Sequence, residues 1–286
     1  MMNKWKIKNQ LCAYEFRLHW SSKRVWMGYL TGMAVMLWQT SGVIRYAEST
    51  GEVYQAMEPF IVAMNKTDTV LFAVLGWLLI VSDAPFIRDN ALYILHRTEK
   101  RIWNGAILRY LVGQGILYYL VLALSGMGMG YRGYLANSWS WPVQQLAKSS
   151  FIGADFGIQF DAPLYIQKIS VYQALGITLG LSLLYGLMLA FFLYAFSLLA
   201  DQMAGMVAVF AFHFLGYEIM KEGFMLNVRW SLMARSISIL QIGADTDISL
   251  TETICIYIAV LWFLSALSYG LIRYTDVREA ARGESW

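Results

Sequence analysis

The feature that most constrains this chain is a succession of apolar runs close to the length that crosses a hydrocarbon layer of about 30 Å, which takes roughly 20 helical residues. They fall at 25–44, 68–81 with flanks, 105–130, 171–197, 204–220 and 254–272, and predict six transmembrane helices. Composition agrees. Hydrophobic residues make up 58% of the 286 and charged residues only 14%, well below the roughly 25% of soluble domains, and mean hydropathy is +0.48. The expected fold class is an all-α polytopic membrane protein, one transmembrane domain over 1–286.

Orientation follows from Lys and Arg, which resist translocation. With the N-terminus inside, Lys4, Lys6, Lys8, Arg17, Lys23, Arg24, Arg88, Arg97, Lys100, Arg101, Arg109, Arg273, Arg278 and Arg282 are cytoplasmic, fourteen of the twenty-two. The remaining eight are spread over external segments. Both termini and the tail 274–286 are therefore expected in the cytoplasm. The start, MMNKWKIKNQLCAYEF, has no continuous apolar core and no small-residue cleavage site, which argues against a removed signal peptide.

The polar segments between the spans carry the sharper expectations. In 82–104, Asp83 and Pro85 stop the second span, because a carboxylate is costly in hydrocarbon and proline restrains the residue before it. Asp89 is then placed to cap a short helix at 90–101, with Ala91, Leu92, Ile94 and Leu95 on an apolar side and His96, Arg97, Lys100 and Arg101 toward water. Residues 5–20, within an N-terminal stretch 1–24, read as an interfacial helix. Ile7, Leu11, Tyr14 and Leu18 share one face; Trp5, Phe16 and Trp20 lie roughly opposite, with Lys8, Glu15 and His19 between.

Outside, the loop 131–170 holds Tyr131, Tyr134, Trp139 and Trp141 at headgroup level, and Pro142 suits the first turn of a short helix. In 221–253, Leu226, Trp230, Met233, Ile237 and Leu240 recur at helical spacing. That predicts an amphipathic helix over 226–240, either flat on lipid or folded back into the bundle as an external gate. Gly28 and Gly32, Gly126 and Gly130, and Gly176 and Gly180 have the spacing that lets helix backbones approach.

The search for chemistry returns mainly absences. The chain has no GxxxxGK[ST] loop, so it does not bind ATP by that route, and no HExxH. His19, His96 and His213 are scattered, and Cys12 and Cys255 are isolated, so neither a disulfide framework nor a metal site is expected; no cofactor is expected either. The run Leu124-Ser125-Gly126-Met127-Gly128 lies inside an apolar segment, where it cannot meet nucleotide, and Ser125 has no paired base. Asn65-Lys66-Thr67 matches a glycosylation sequon. His213 is the ionisable residue deep within a span, either lining a pathway or held neutral by a hydrogen bond, and Glu218 follows at the outer end of that span. Arg109, one turn into the third span, is placed to reach the headgroups.

The order of parts resembles the membrane subunit of type-2 ATP-binding-cassette (ABC) exporters, in particular bacterial permeases encoded apart from their ATPase. The most specific residues are Asp83, Pro85, Phe86, Tyr93, Leu95, Arg97 and Trp103, similar to the cytoplasmic loop of such permeases. The resemblance implies that 90–101 is a coupling helix, with Asp83, Pro85, Phe86, Arg88, Tyr93, Leu95, Arg97, Arg101 and Trp103 facing an ATPase. It implies that 5–20 is the connecting helix and that 226–240 belongs to a re-entrant gate, with His213, Glu218, Trp230 and Met233 along the pathway. The implied partners are ABC ATPase subunits, a second membrane subunit and lipid, with no nucleic acid, in a bacterial cell membrane. The alternative is a non-transporting membrane scaffold or sensor that recruits partners.

Overall fold

The computed structural model describes residues 4–84, 86, 98–149, 151–221, 228–243 and 248–274. The long helices are α1 (Lys4–Trp20), α2 (Lys23–Thr50), α4 (Thr67–Val81), α5 (Lys100–Met129), α8 (Val171–Leu199), α9 (Gln202–Lys221) and α11 (Leu250–Leu271). Shorter ones are α3 (Glu58–Met64), α6 (Trp141–Leu146), α7 (Pro163–Lys168) and α10 (Ile239–Ile242). Their ends carry the expected local chemistry. Gly51 closes α2 with φ 72°, a conformation costly for any residue with a Cβ. Ser170 and Gln173 form a capping box on α8, and the Ser249 hydroxyl accepts the Glu252 N–H at the head of α11.

Four helices, α5, α8, α9 and α11, are long and apolar enough to cross a membrane, and a fifth crossing is added if α3 and α4 count as one bent span. The six expected spans are thus not all reproduced. With 15 residues, α4 reaches only about 22 Å at 1.5 Å per residue. Although α2 has 28 residues, Thr31, Gln39, Thr40, Ser41 and its glycines dilute its apolar character. A bend of 90° separates α3 from α4. All seven residues of α3 are buried, so it lies crosswise over the ends of its neighbours and outside the spanning direction.

The helices α2, α4, α5, α8, α9 and α11 run back and forth between two ends. At one end lie α1, the start of α5 and the close of α11; at the other lie α3, the 131–170 loop and the 228–243 segment. We call these the α1 end and the loop end. On α9 and α11 the usual burial pattern is inverted. Gly205, Val209, His213 and Gly216 of α9 and Thr253, Tyr257, Leu264 and Ser268 of α11 face inward. Met203, Val207, Phe214, Ile258, Trp262 and Phe263 face outward. Small and polar residues inside, with large apolar ones outside, suit helices surrounded by lipid, consistent with a multi-pass membrane protein.

The interior is filled by aromatic side chains, two of which tie helices together through backbone carbonyls. Trp77 donates to the carbonyl of Gly186 at 2.7 Å, and the Tyr118 hydroxyl to that of Ala73 at 2.6 Å, joining α4 to α8 and α5. The tightest crossing is between α2 and α4. A Cβ on Gly28 would stand 2.6 Å from the Gly76 carbonyl oxygen, and one on Gly76 2.9 Å from that of Gly28. Gly126 meets Phe60 and Met36, whereas Gly176 and Gly180 face open space. Two of the three predicted glycine pairs are therefore packing sites.

Candidate functional site

At the α1 end the chain leaves α4 through a turn, with the Phe86 N–H donating to the Asp83 carbonyl at 2.8 Å. It re-enters at α5 through Glu99 in extended conformation. Both stems of the intervening stretch are tied down. Arg24 of α2 pairs with Asp83 at 2.6 Å, and Lys4 of α1 with Glu99 at 3.1 Å. The cations are 63% and 70% exposed, so each pair contributes about 0–1 kcal/mol and serves to position the stems. Phe86, at φ 63° and 3% exposed, supplies the anchor. Its ring meets His19 edge-on at 5.0 Å and Tyr110 at 5.5 Å. A non-glycine residue in the left-handed region is strained, and here burial of the ring offsets that strain.

The buried surface of α1 is polar, the reverse of the expected arrangement. Glu15 and His19 are 4% and 1% exposed, while Trp5, Tyr14 and Trp20 remain at least one-third exposed. His19 stacks on Tyr110 at 4.7 Å and lies 3.6 Å from the Glu15 carboxylate. Its Nδ1 sits 2.8 Å from the Glu15 carbonyl oxygen, which can only accept, so Nδ1 carries a proton. Gly113 opens a notch for the Phe16 ring. Arg109 donates to Asn9 at 2.5 Å and lies over the Trp5 ring. Beside it, burial pushes the Cys12 thiol up, with Arg109 opposing, which makes it a poor nucleophile. Deeper in, Asn104 donates to Ser268 and accepts from Tyr194 at 2.7 Å, linking α5, α11 and α8.

Of the residues expected to face an ATPase, Asp83 and Phe86 belong to this seat, and Phe86 is turned inward. Arg101 and Trp103 lie on α5, Arg101 exposed and Trp103 buried. Of the expected helix at 90–101, the described end is non-helical at Thr98 and Glu99 and belongs to α5 from Lys100; 90–97 lie outside the described residues. Pro85, Arg88, Tyr93, Leu95 and Arg97 lie outside the described residues.

At the loop end, the expected continuous helix over 226–240 is absent from its described part, 228–240. That segment breaks into turns, a short 3-10 helix at Ala234–Ser236 and the start of α10. It folds into the bundle instead, because its polar groups find internal partners. Arg235, 3% exposed, donates to the Arg229 carbonyl, Thr253 and Glu252, the last at 2.9 Å. Ser238 bonds Asn65, Tyr165 and Thr178. Asn65 is thus buried and engaged on both sides of its amide, so the sequon match falls on a side chain closed to modification in the folded chain.

The four pathway candidates do not form one site. Met233 is buried against Gly216, whereas Trp230 is 79% exposed. His213 bridges three helices: its Nε2 lies 3.2 Å from the Leu71 carbonyl and its Nδ1 2.8 Å from the Tyr185 hydroxyl. The carbonyl can only accept, so Nε2 carries a proton. Glu218 is half-buried and makes no ion pair among the described residues. Two clefts open at this end. One of about 490 Å³ is lined by Asn137, Trp139, Gln144, Gln167 and Lys168 among others, the second of about 240 Å³ by Glu48, Tyr54, Tyr131 and Arg132 among others. Among the described residues no three His, Cys, Asp or Glu side chains are grouped to hold a metal.

Sequence reasoning missed Glu15, His19, Glu58 and Arg235. The spacing of Glu15 and His19, one helical turn apart, places them between the two apolar faces of the wheel, with no sign that they are the buried ones. No family model matches this chain, and no curated protein or solved structure matches it.

Proposed function

We propose that the chain is the transmembrane subunit of an ABC transporter of the exporter type, working as a pair and driven by ATPases on separate chains that dock at 90–101. One observation carries this reading: both stems of that stretch are fastened to α1 and α2, through Asp83, Phe86 and Glu99. A push on the stretch would reach α1, α2 and α5 together, which is what mechanical coupling to an outside motor requires. The basic residues Arg88, Arg97, Lys100 and Arg101 would steer an acidic partner surface onto it. A second reading, a scaffold or sensor that recruits partners without transport, is favoured by the filled aromatic interior, with the two clefts described above both at the loop end.

The docking reading requires 98 and 151 on opposite sides of the membrane. With Cys12 and Cys255 replaced by alanine, Thr98→Cys should react with an impermeant maleimide only in inverted vesicles and Phe151→Cys only in intact cells. Labelling of both from the same side, or with the sides exchanged, removes the proposal. Affinity purification from native membranes separates the two readings. Recovery of an ABC ATPase with the chain supports the transporter; an assembled complex without one supports the scaffold.

A further inference from the structure

At the loop end, Glu58 is fully buried, at 0% exposure, and among the described residues it makes no ion pair. Its carboxylate takes the Ser140 N–H at 2.6 Å on one oxygen; on the other it takes the Ser140 hydroxyl at 2.5 Å and the Gln55 N–H at 3.1 Å. Around it two segments are stitched together. Ala56 donates to the Tyr134 carbonyl, Tyr134 to that of Tyr54, and the Gln55 side chain to that of Ala136. Ser140 is also the residue before α6, and its neighbour Trp139 donates to the Ile169 carbonyl at 2.8 Å. The chain that Glu58 holds is therefore one wall of the 490 Å³ cleft, which includes Ser138, Trp139 and Gln144 and faces Ile169 and Ser170.

We propose that Glu58 is a proton-sensitive latch: with a proton bound it holds the 137–144 wall of this cleft against α3, and on ionising it loosens that wall. The proton sits on the oxygen shared by Ser140 and Gln55 and is donated to the Ser140 hydroxyl oxygen, whose own hydrogen turns away. The two backbone N–H groups keep their acceptors. In the ionised state the same bonds must hold a full charge in a dry site, which burial penalises more than three donors repay.

The neighbouring charges leave this balance intact. Glu58 acts on the nearby Tyr134 phenol, raising it, so that Tyr134 is neutral at ordinary pH. On α2 and at the close of α5, Glu48 and Arg132 act on Tyr54. Lys66 is turned to Asp68 of α4, and α6 and α8 carry no charged side chain. Burial accordingly raises the Glu58 carboxyl from 4.5 to about 7. The sign is that of a raised acid: the folded form binds the extra proton, so the latch is strongest below 4.5 and weakens up to about 7.

Hydrogen–deuterium exchange of the full chain in lipid nanodiscs tests this, read on peptides covering 134–146 and corrected for the chemical pH dependence of exchange. Protection in the wild type should fall by about tenfold or more from about pH 5.5 to about pH 8, while peptides of α5 stay constant. Glu58→Gln donates to Ser140 as the protonated acid does but turns an amide nitrogen toward the Gln55 N–H, so its protection should be lower than that of the protonated wild type and should not fall with pH. Ser140→Ala removes a donor to the charged form and should move the fall to higher pH. Flat protection in the wild type, an unchanged fall in Glu58→Gln, or an unmoved fall in Ser140→Ala each overturns the latch.

Discussion

Gly76→Leu is expected to drive α2 off α4 and to produce a large loss of thermal stability. A Cβ at this position already meets the Tyr118 hydroxyl at 2.6 Å, the Gly28 carbonyl oxygen at 2.9 Å and the Gly32 nitrogen at 3.1 Å. Overpacking a core costs about 1–3 kcal/mol when side chains can turn aside. Here two of the three neighbours are backbone, which relaxes only if the helices separate, so the cost lies at or above the top of that range. The new side chain would also push the Tyr118 hydroxyl off its bond to Ala73 and strand a buried polar group. Gly176→Leu and Gly180→Leu provide the control, since their sites open into empty space. Thermal unfolding in detergent should show a large drop for Gly76→Leu and almost none for the controls. Equal behaviour of all three would mean that α2 and α4 do not cross through these glycines.

The helical course was legible because long apolar runs leave the backbone no alternative in hydrocarbon but to satisfy its own hydrogen bonds. Boundaries at 171, 202 and 250 agree with sequence expectation to within a few residues. What sequence could not supply was the inside of the protein. In α11 the greasy residues Ile258, Trp262 and Phe263 face out and Thr253 and Ser268 face in, so hydrophobicity no longer marks the core. The same inversion hid the seat of α1, whose wheel placed Glu15 and His19 on a seam although they are its most buried residues. It also misled the 226–240 reading. An apolar period predicted a helix there, but Arg235 and Ser238 had partners in Glu252, Thr253 and Asn65 that lie on distant segments. Such long-range polar pairings override local periodicity, and nothing in a single sequence announces them. Gly76 went unnoticed for a related reason: it has no glycine partner in its own helix, and its partners Gly28 and Gly32 belong to α2.

The measurement that bears most directly on the proposed function is the effect of Leu95→Asp combined with Arg97→Glu on the recovery of an ATPase with the chain. Both residues lie outside the described ones, so their role rests on the sequence and on the fastened stems beside them. If 90–101 docks into a cleft on the motor, Leu95 supplies apolar area and Arg97 pairs with an acidic group. Truncating a desolvated pair of that kind costs about 2–5 kcal/mol, a loss of affinity of more than about tenfold. The stems are held by Arg24, Lys4 and Phe86, none of which is altered, so the membrane chain should keep its melting temperature. The account predicts that co-purification in detergent fails for the double variant while its thermal unfolding matches the wild type. If the ATPase still co-purifies in normal amount and transport persists, the stretch is not the coupling element and the proposed function is contradicted.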